Sequence, residues 1–300
     1  MPAPICYVRA VISDWVRLAR PQHWTKNAFV LAPLLFSGRA LERAWLLSAL
    51  AAFAAFCLLA SGVYLLNDIA DRVEDRAHPV KKNRPIAAGR ISVTQAAVAG
   101  LGLIVAALAL SWAVSPLLLA ATGTYFALNV AYTLKLKHVV ILDVFCIAAF
   151  FVLRLLAGAA AVDVRPSVWL LLCGGLLALY LGFAKRRHEL VLLGDQSAGH
   201  RSVLAHYSAT YLDQMSVVLL SVTIVSYIMY TLESDTAQKV GSEALAYSSA
   251  FVLYGVFRYL YLVHQRALGT PTETVFTDRS LMADVVLWLL YCGWVVYRAS

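Results

Sequence analysis

Asn67, Asp68, Asp71 and Asp75 close a nearly uncharged run of the chain, and a cluster of bases, Lys81, Lys82 and Arg84, follows at once. Asn67, Asp71 and Asp75 fall at i, i+4 and i+8, with Asp68 beside them. If the apolar helix before them continues through this stretch, those side chains share one face. Carboxylates so grouped are hard oxygen ligands suited to Mg²⁺, which takes one or two carboxylates and fills its shell with substrate phosphate oxygens. The bases would then hold the remaining phosphate oxygens. Acids alone would suit a cation pathway, whereas acids followed by bases suit metal plus phosphate. The same charges would also serve a solvated loop with internal ion pairs, and spacing alone leaves both readings open. Glu74 lies off the Asn67–Asp71–Asp75 line and is left out of the group.

The elements that must position these residues are membrane helices. The chain has 300 residues, of which 61% are hydrophobic and only 14% charged, and its mean hydropathy is +0.72. A soluble protein of this length needs far more surface charge, so the composition predicts an all-α polytopic membrane protein. The five cysteines stand alone, without a CxxC pair, and the seven histidines lack HExxH spacing. Neither a zinc site nor a disulfide framework is indicated. Arg9, Asp14, Arg17 and Arg20 interrupt the first 25 residues, which therefore do not read as a cleaved signal peptide. Ile5, Val8, Ile12, Trp15, Val16 and Ala19 trace an apolar stripe. Residues 1–20 are expected to lie as a helix on the membrane surface, or else to pack as an ordinary first helix.

A bilayer core is crossed by about 20 apolar residues. That rule gives nine spans, near 24–37, 44–67, 92–112, 115–134, 140–161, 167–185, 212–232, 244–264 and 280–298, in a single domain covering 1–300. Of the 25 lysines and arginines, Arg39, Arg43, Arg165, Lys239 and Arg298 fall on one side, and Arg154 and Arg258 fall inside spans. The other 18 collect on the opposite side, which the positive-inside rule makes cytoplasmic. The N-terminus is then cytoplasmic and the C-terminus outside. This sidedness accounts for the +8 net charge without nucleic acid. It also puts the polar segments 67–90, 132–143, 185–206 and 264–280 on the cytoplasmic face, where several helix ends would build one site.

The opening stretch closely resembles the first acidic motif of the UbiA superfamily of intramembrane prenyltransferases, NDxxDxxxD followed by RPIAAG, here ending at Arg84–Gly89. Arg20-Pro21-Gln22-His23-Trp24-Thr25-Lys26-Asn27 resembles the start of that superfamily's first helix, and Phe151–Gly158 matches an FxxRxxAG pattern in its fifth. The resemblance implies a nine-helix bundle with its active site at the cytoplasmic face of a bacterial plasma membrane. Aromatic prenyltransferases of the superfamily carry a second acidic cluster after the sixth helix. This chain has Lys185-Arg186-Arg187-His188-Glu189-Leu190 there, with Asp195 further on. That departure, with the WxKN, HPxKxxRP and KRxxEL elements, is similar to the decaprenyl-phosphate phosphoribosyltransferase branch.

The resemblance implies an enzyme that moves 5-phosphoribose from phosphoribosyl diphosphate to a polyprenyl phosphate with Mg²⁺. Asn67, Asp68, Asp71 and Asp75 become the metal–diphosphate group, with the three aspartates catalytic. Lys81, Lys82 and Arg84 contact phosphate oxygens; Lys185 and Arg186 hold the 5-phosphate or merely anchor the chain by charge. Glu189 orients them or a ribose hydroxyl. Arg20 and Lys26 guide the acceptor phosphate or snorkel at the interface. Tyr132, Lys135 and Asp143 match a similar arrangement in the branch. Arg154, a lone charge costing about 2.5–3.5 kcal/mol within a span, implies an ion pair, a helix-carbonyl contact or a place lining the lipid-phosphate cavity. The competing readings are a conventional prenyltransferase with an aromatic acceptor, and a transporter, whose broken repeated spans are not evident. A homo-oligomer is left open.

Overall fold

A computed structural model describes residues 4–193, 204, 206–233, 243–265 and 277–298; Asp195 lies outside them. Among the described residues the chain is helical throughout, with no strand. Helix α1 (Pro4–Ala19) leads through a 3₁₀ segment (Pro21–Leu31) into the short α2 (Ala32–Phe36). Then follow α3 (Arg43–Ala70), α4 (Arg72–Ala77), α5 (Val93–Val114), α6 (Pro116–Leu134) and α7 (Leu142–Ala161). The second half contains α8 (Val168–Leu193), α9 (Ala209–Glu233), α10 (Ser249–Gln265) and α11 (Arg279–Arg298). Seven of these, α3, α5, α6, α7, α8, α9 and α11, are long and apolar enough to cross a membrane.

Local chemistry sets the boundaries. Ser92 accepts from the Gln95 amide while the Gln95 side chain returns to the Ser92 amide, a capping box that starts α5. The α5–α6 hairpin is as tight as its sequence requires. Ser115 is extended and caps the Leu118 amide at 3.0 Å, and Pro116 stands where its missing N–H costs nothing.

In lipid, helices associate by close packing more than by hydrophobic transfer, which favours small residues where backbones meet. α3 and α5 meet in this way: a Cβ on Gly62 would come within 2.7 Å of the Gly100 carbonyl oxygen. Phe56 and Leu59 of α3 then pack with Ile104, Leu118, Tyr125 and Phe150 in one core. Gly158 of α7 lies so near the 3₁₀ segment that a Cβ there would stand 2.0 Å from the Val30 carbonyl oxygen.

Two of the nine expected spans differ from plain helices. The first is the 3₁₀ segment plus α2, and the eighth is a 3₁₀ turn (Glu243–Ser248) running into the 17-residue α10. Side chains i and i+3 eclipse in a 3₁₀ helix. Trp24, Asn27 and Val30 accordingly form one row: Trp24 Nε1 donates to Ser61 Oγ at 3.1 Å, Asn27 Nδ2 contacts Cys57 Sγ at 3.4 Å, and Val30 is buried. The expected unbroken helix through Asn67, Asp71 and Asp75 is interrupted. α3 ends at Ala70, Asp71 leaves helical geometry with ψ near 4°, and α4 resumes at Arg72. The turn-by-turn bonds from the Asp71 amide to Asn67 and from the Asp75 amide to Asp71, both 2.9 Å, persist across the break.

Candidate active site

The α3–α4 junction carries the acids. Asp68 and Asp75, seven residues and two turns apart, are both buried and share one base: Arg84 Nη1 donates to Asp68 Oδ1 at 3.0 Å and to Asp75 Oδ2 at 2.7 Å. Arg20 Nη2 donates to Asp68 Oδ1 at 2.5 Å, and its guanidinium lies 4.9 Å from the Tyr64 ring centre. Asp71 points outward instead, with Lys137 Nζ 3.6 Å away. Asn67 Oδ1 accepts from Thr133 at 3.0 Å, and Glu74 is exposed. Lys81 and Lys82 stand exposed in a 3₁₀ turn beside this group. The RPIAAG run closes with Gly89 at φ 73°, a left-handed conformation that glycine adopts without strain.

Helix α1 is tied to this junction. Arg90 forms two hydrogen bonds to Asp14, at 2.7 and 3.1 Å, and Leu18 packs with Leu65, Ile86 and Ile91. Ile12 and Val16 remain exposed on its other side.

A second group forms where α7, α8 and the segment before α9 meet. Arg186 is 1% exposed, and Nε donates to the fully buried Asp143 at 2.8 Å while Nη1 donates to Glu189 at 2.7 Å. Tyr207 closes the group: its hydroxyl accepts the Ile141 amide at 2.7 Å and donates to Asp143 at 3.4 Å. Ile141 has φ 69°, a costly conformation for a β-branched residue. Lys185, half exposed, lies 3.9 Å from Glu189. The expected phosphate contact of Arg186 does not match this geometry, because its guanidinium is already committed to two carboxylates out of reach of solvent. Lys185 is the basic side chain the group presents outward.

Arg154 takes the helix-carbonyl alternative among those expected for it. Its nitrogens donate to Asn27 Oδ1, the Phe150 carbonyl and Tyr125 Oη, each at 2.8 Å, and its guanidinium lies 4.8 Å from the Tyr125 ring centre. Every partner is neutral, so the charge is solvated by dipoles and rings rather than by an acid. His23 and Lys26, one 3₁₀ turn apart, face the same interior and feel the charge of Lys185.

The structure therefore brings Arg20, Asp68, Asp75 and Arg84 into one cluster, and Asp143, Lys185, Arg186 and Glu189 into another. Lys135 is exposed, and it is its neighbour Lys137 that reaches Asp71. Tyr132 packs edge to face on Phe150 at 5.9 Å. Lys137, Thr133, His23 and Tyr207 are site neighbours that sequence reasoning missed. Lys137 was legible as a second base two residues from Lys135, whereas Tyr207 carried no local signal.

The UbiA prenyltransferase family model matches residues 28–281 of this chain. The chain belongs to that family. Members of the UbiA family are transferases, and this one is a multi-pass membrane protein by its apolar helices. The chain is 33% identical to the decaprenyl-phosphate phosphoribosyltransferase of Mycolicibacterium smegmatis, across 96% of this chain and 93% of that one. It is 31% identical to the enzyme of the same name from Corynebacterium glutamicum, across 94% of this chain and 86% of that one. A UbiA homolog from Archaeoglobus fulgidus, solved with GPP and Mg²⁺, superposes with a TM-score of 0.73 at 18% identity, covering 95% of this chain and 99% of that one.

The fit of a UbiA-type site to a metal rests on donor chemistry. Among the described residues no three His, Cys, Asp or Glu side chains converge as a ready-made cage. Mg²⁺ does not need one, since it keeps waters and shares its shell with phosphate oxygens. Asn67, Asp68, Asp71 and Asp75 supply the hard oxygens such a partial shell takes, and the outward carboxylate of Asp71 is the most accessible of the three acids.

Proposed function

We propose that this UbiA family member transfers 5-phosphoribose from phosphoribosyl diphosphate to a polyprenyl phosphate, releasing diphosphate. The observation that carries this reading is the second cluster. Where an aromatic prenyltransferase is expected to carry further acids, this chain sets Lys185 and a buried Arg186 paired with the part-exposed Glu189. Relatives named decaprenyl-phosphate phosphoribosyltransferase match it over most of their length. A donor with a reacting diphosphate and a separate, unreacting 5-phosphate needs two anion sites, one acidic and metal-dependent, the other basic.

In this reading Asn67, Asp68, Asp71 and Asp75 hold Mg²⁺, as Mg²⁺ accompanies the archaeal homolog. When bound, the ion neutralises charge on the departing diphosphate. Lys81 and Lys82 bind further diphosphate oxygens, whereas Arg84, expected from the sequence to contact phosphate, instead joins Asp68 and Asp75 and orients them. Lys185 binds the 5-phosphate. Arg186 is a positioning residue that holds Glu189 beside Lys185, and Asp143 and Tyr207 hold Arg186. Arg20 and Lys26 guide the acceptor phosphate, while Arg154 fixes the 3₁₀ segment carrying Lys26 through Asn27.

The acceptor oxygen forms a new bond to the anomeric carbon as the bond to the diphosphate oxygen breaks, with the electron pair leaving on diphosphate and the configuration inverting. The acceptor is already an anion, so no general base is required. Rate enhancement rests on positioning and charge neutralisation.

The same reading has nine crossings. A 3₁₀ helix rises about 2.0 Å per residue against 1.5 Å for an α-helix, so the 3₁₀ segment with α2 reaches about 30 Å, a bilayer core. The basic asymmetry supports a cytoplasmic site, a cytoplasmic N-terminus and an outer C-terminus in a bacterial plasma membrane. The exposed Ile12 and Val16 support α1 lying at the interface as part of a single domain. Membranes containing the protein, given radiolabelled phosphoribosyl diphosphate and polyprenyl phosphate, should yield label in the lipid extract; none would reject the reading.

A further inference from the structure

At the bundle end opposite the acidic cluster, a cavity of about 300 Å³ opens between the end of α2, the 163–167 connection, the start of α8 and the last turn of α9. Its floor is apolar and aromatic, with Phe36 and Tyr230 edge to face at 6.0 Å and Leu170 beside them. Its polar lining includes Arg39, Arg165 and Asp163. The transfer reaction uses none of these residues.

Both arginines are held or presented without an acidic partner. Arg39 Nη1 donates to the Val162 carbonyl at 2.8 Å and the Asp163 carbonyl at 3.4 Å, and its guanidinium stacks 4.8 Å from the Trp45 ring centre. Arg165 is exposed and forms no ion pair among the described residues. The Asp163 carboxylate pairs with neither, so the cavity carries one net positive charge. Asp163 itself has φ 49°, a left-handed conformation uncommon outside glycine, in the connection whose carbonyls hold Arg39.

This end also carries the marks of a membrane–water boundary. Tyr297 accepts the Ala40 amide at 3.0 Å and donates to the Leu35 carbonyl, and Arg298 stacks over Trp294 at 5.1 Å. Aromatic rings with polar tips concentrate at the headgroup level.

We propose that this cavity binds the phosphodiester headgroup of an anionic membrane lipid. Arg39 and Arg165 take the phosphate oxygens, for which the guanidinium fork is suited, and the glycerol end of the chains lies over Phe36, Leu170 and Tyr230. The single net positive charge matches a phosphodiester monoanion. A pocket of this volume is within the range that holds small ligands. The site is independent of the transfer reaction.

The test titrates purified full-length protein with dihexanoyl phosphatidylglycerol, dihexanoyl phosphatidylcholine and inorganic phosphate, reading bound ligand by native mass spectrometry. Arg39 also anchors the Val162 carbonyl, so Arg165→Gln is the informative variant, with Arg165→Lys as its conservative partner. Phosphatidylglycerol should bind the wild type in preference to phosphatidylcholine. Arg165→Gln should weaken it about tenfold or more, while leaving phosphoribosyl transfer unchanged, and Arg165→Lys should retain part of the affinity. Equal binding of the two lipids, or unchanged affinity in Arg165→Gln, overturns the proposal. Inorganic phosphate displacing phosphatidylglycerol at equal concentration would assign the cavity to a soluble anion and overturn it as well.

Discussion

Arg84 Nη1 lies 3.0 Å from Asp68 Oδ1 and 2.7 Å from Asp75 Oδ2, so one guanidinium nitrogen joins two buried carboxylates across the break between α3 and α4. Removing that base leaves Asp75 without its charged partner and Asp68 with Arg20 alone. A charge-assisted hydrogen bond is worth about 1.5–3 kcal/mol. Arg84→Ala should therefore lower the thermal midpoint and reduce kcat/KM about tenfold or more, with Arg84→Lys intermediate. Unfolding in lipid nanodiscs, followed alongside steady-state kinetics, checks both effects; an Arg84→Ala protein as stable and active as wild type would remove its structural role.

Asp71 offers a cleaner view of the metal. It points outward toward Lys137 at 3.6 Å and supports no buried network. Asp71→Asn should leave the thermal midpoint unchanged while kcat falls steeply, whereas Asp75→Asn should lose both activity and stability. A chelator should abolish turnover of the wild type, and added Mg²⁺ should restore it. Full activity of Asp71→Asn under chelation would sink the metal assignment.

The buried Asp143–Arg186 pair predicts a different pattern. Asp143→Asn leaves an almost fully buried guanidinium with the part-exposed Glu189 as its remaining anion, and breaking a buried pair costs about 3–5 kcal/mol. Tyr207→Phe removes only the hydroxyl that joins the Ile141 amide to Asp143. The Ile141 amide bond it accepts is neutral and worth about 0.5–1.5 kcal/mol, and the contact to the Asp143 carboxylate is long at 3.4 Å, so the loss should be roughly two- to tenfold. The effect should fall on the KM for phosphoribosyl diphosphate more than on kcat, since the network positions Lys185 against a phosphate that does not react. An unchanged KM with a lower kcat would place Tyr207 in the chemical step instead.

The parts of the molecule legible in the sequence are those set by local pattern. Long apolar runs gave α3, α5, α6, α7, α8, α9 and α11 because a helix in lipid must satisfy its backbone internally. The same rule could not foresee that residues 21–31 wind as a 3₁₀ helix, because that geometry follows from Gly158 and the α3 face against which Trp24, Asn27 and Val30 pack. The acidic stretch was legible as a group, but the linking of Asp68 to Asp75 depends on Arg84, nine residues beyond Asp75, returning to the α3–α4 junction. Arg186 looked like a phosphate ligand because its partner Asp143 lies 43 residues earlier, beyond the reach of spacing arguments. Tyr207, 64 residues from Asp143, was hidden for the same reason.

The central claim is the choice of donor and acceptor, and one assay bears on it most directly. Purified protein with Mg²⁺ is offered phosphoribosyl diphosphate with polyprenyl phosphate, and separately a prenyl diphosphate with an aromatic acceptor. Mass spectrometry then identifies the lipid product. The account predicts a polyprenyl phosphate carrying 5-phosphoribose, with diphosphate released in equal amount, and no prenylated aromatic. Consumption of the prenyl diphosphate, with phosphoribosyl diphosphate left untouched, would contradict it.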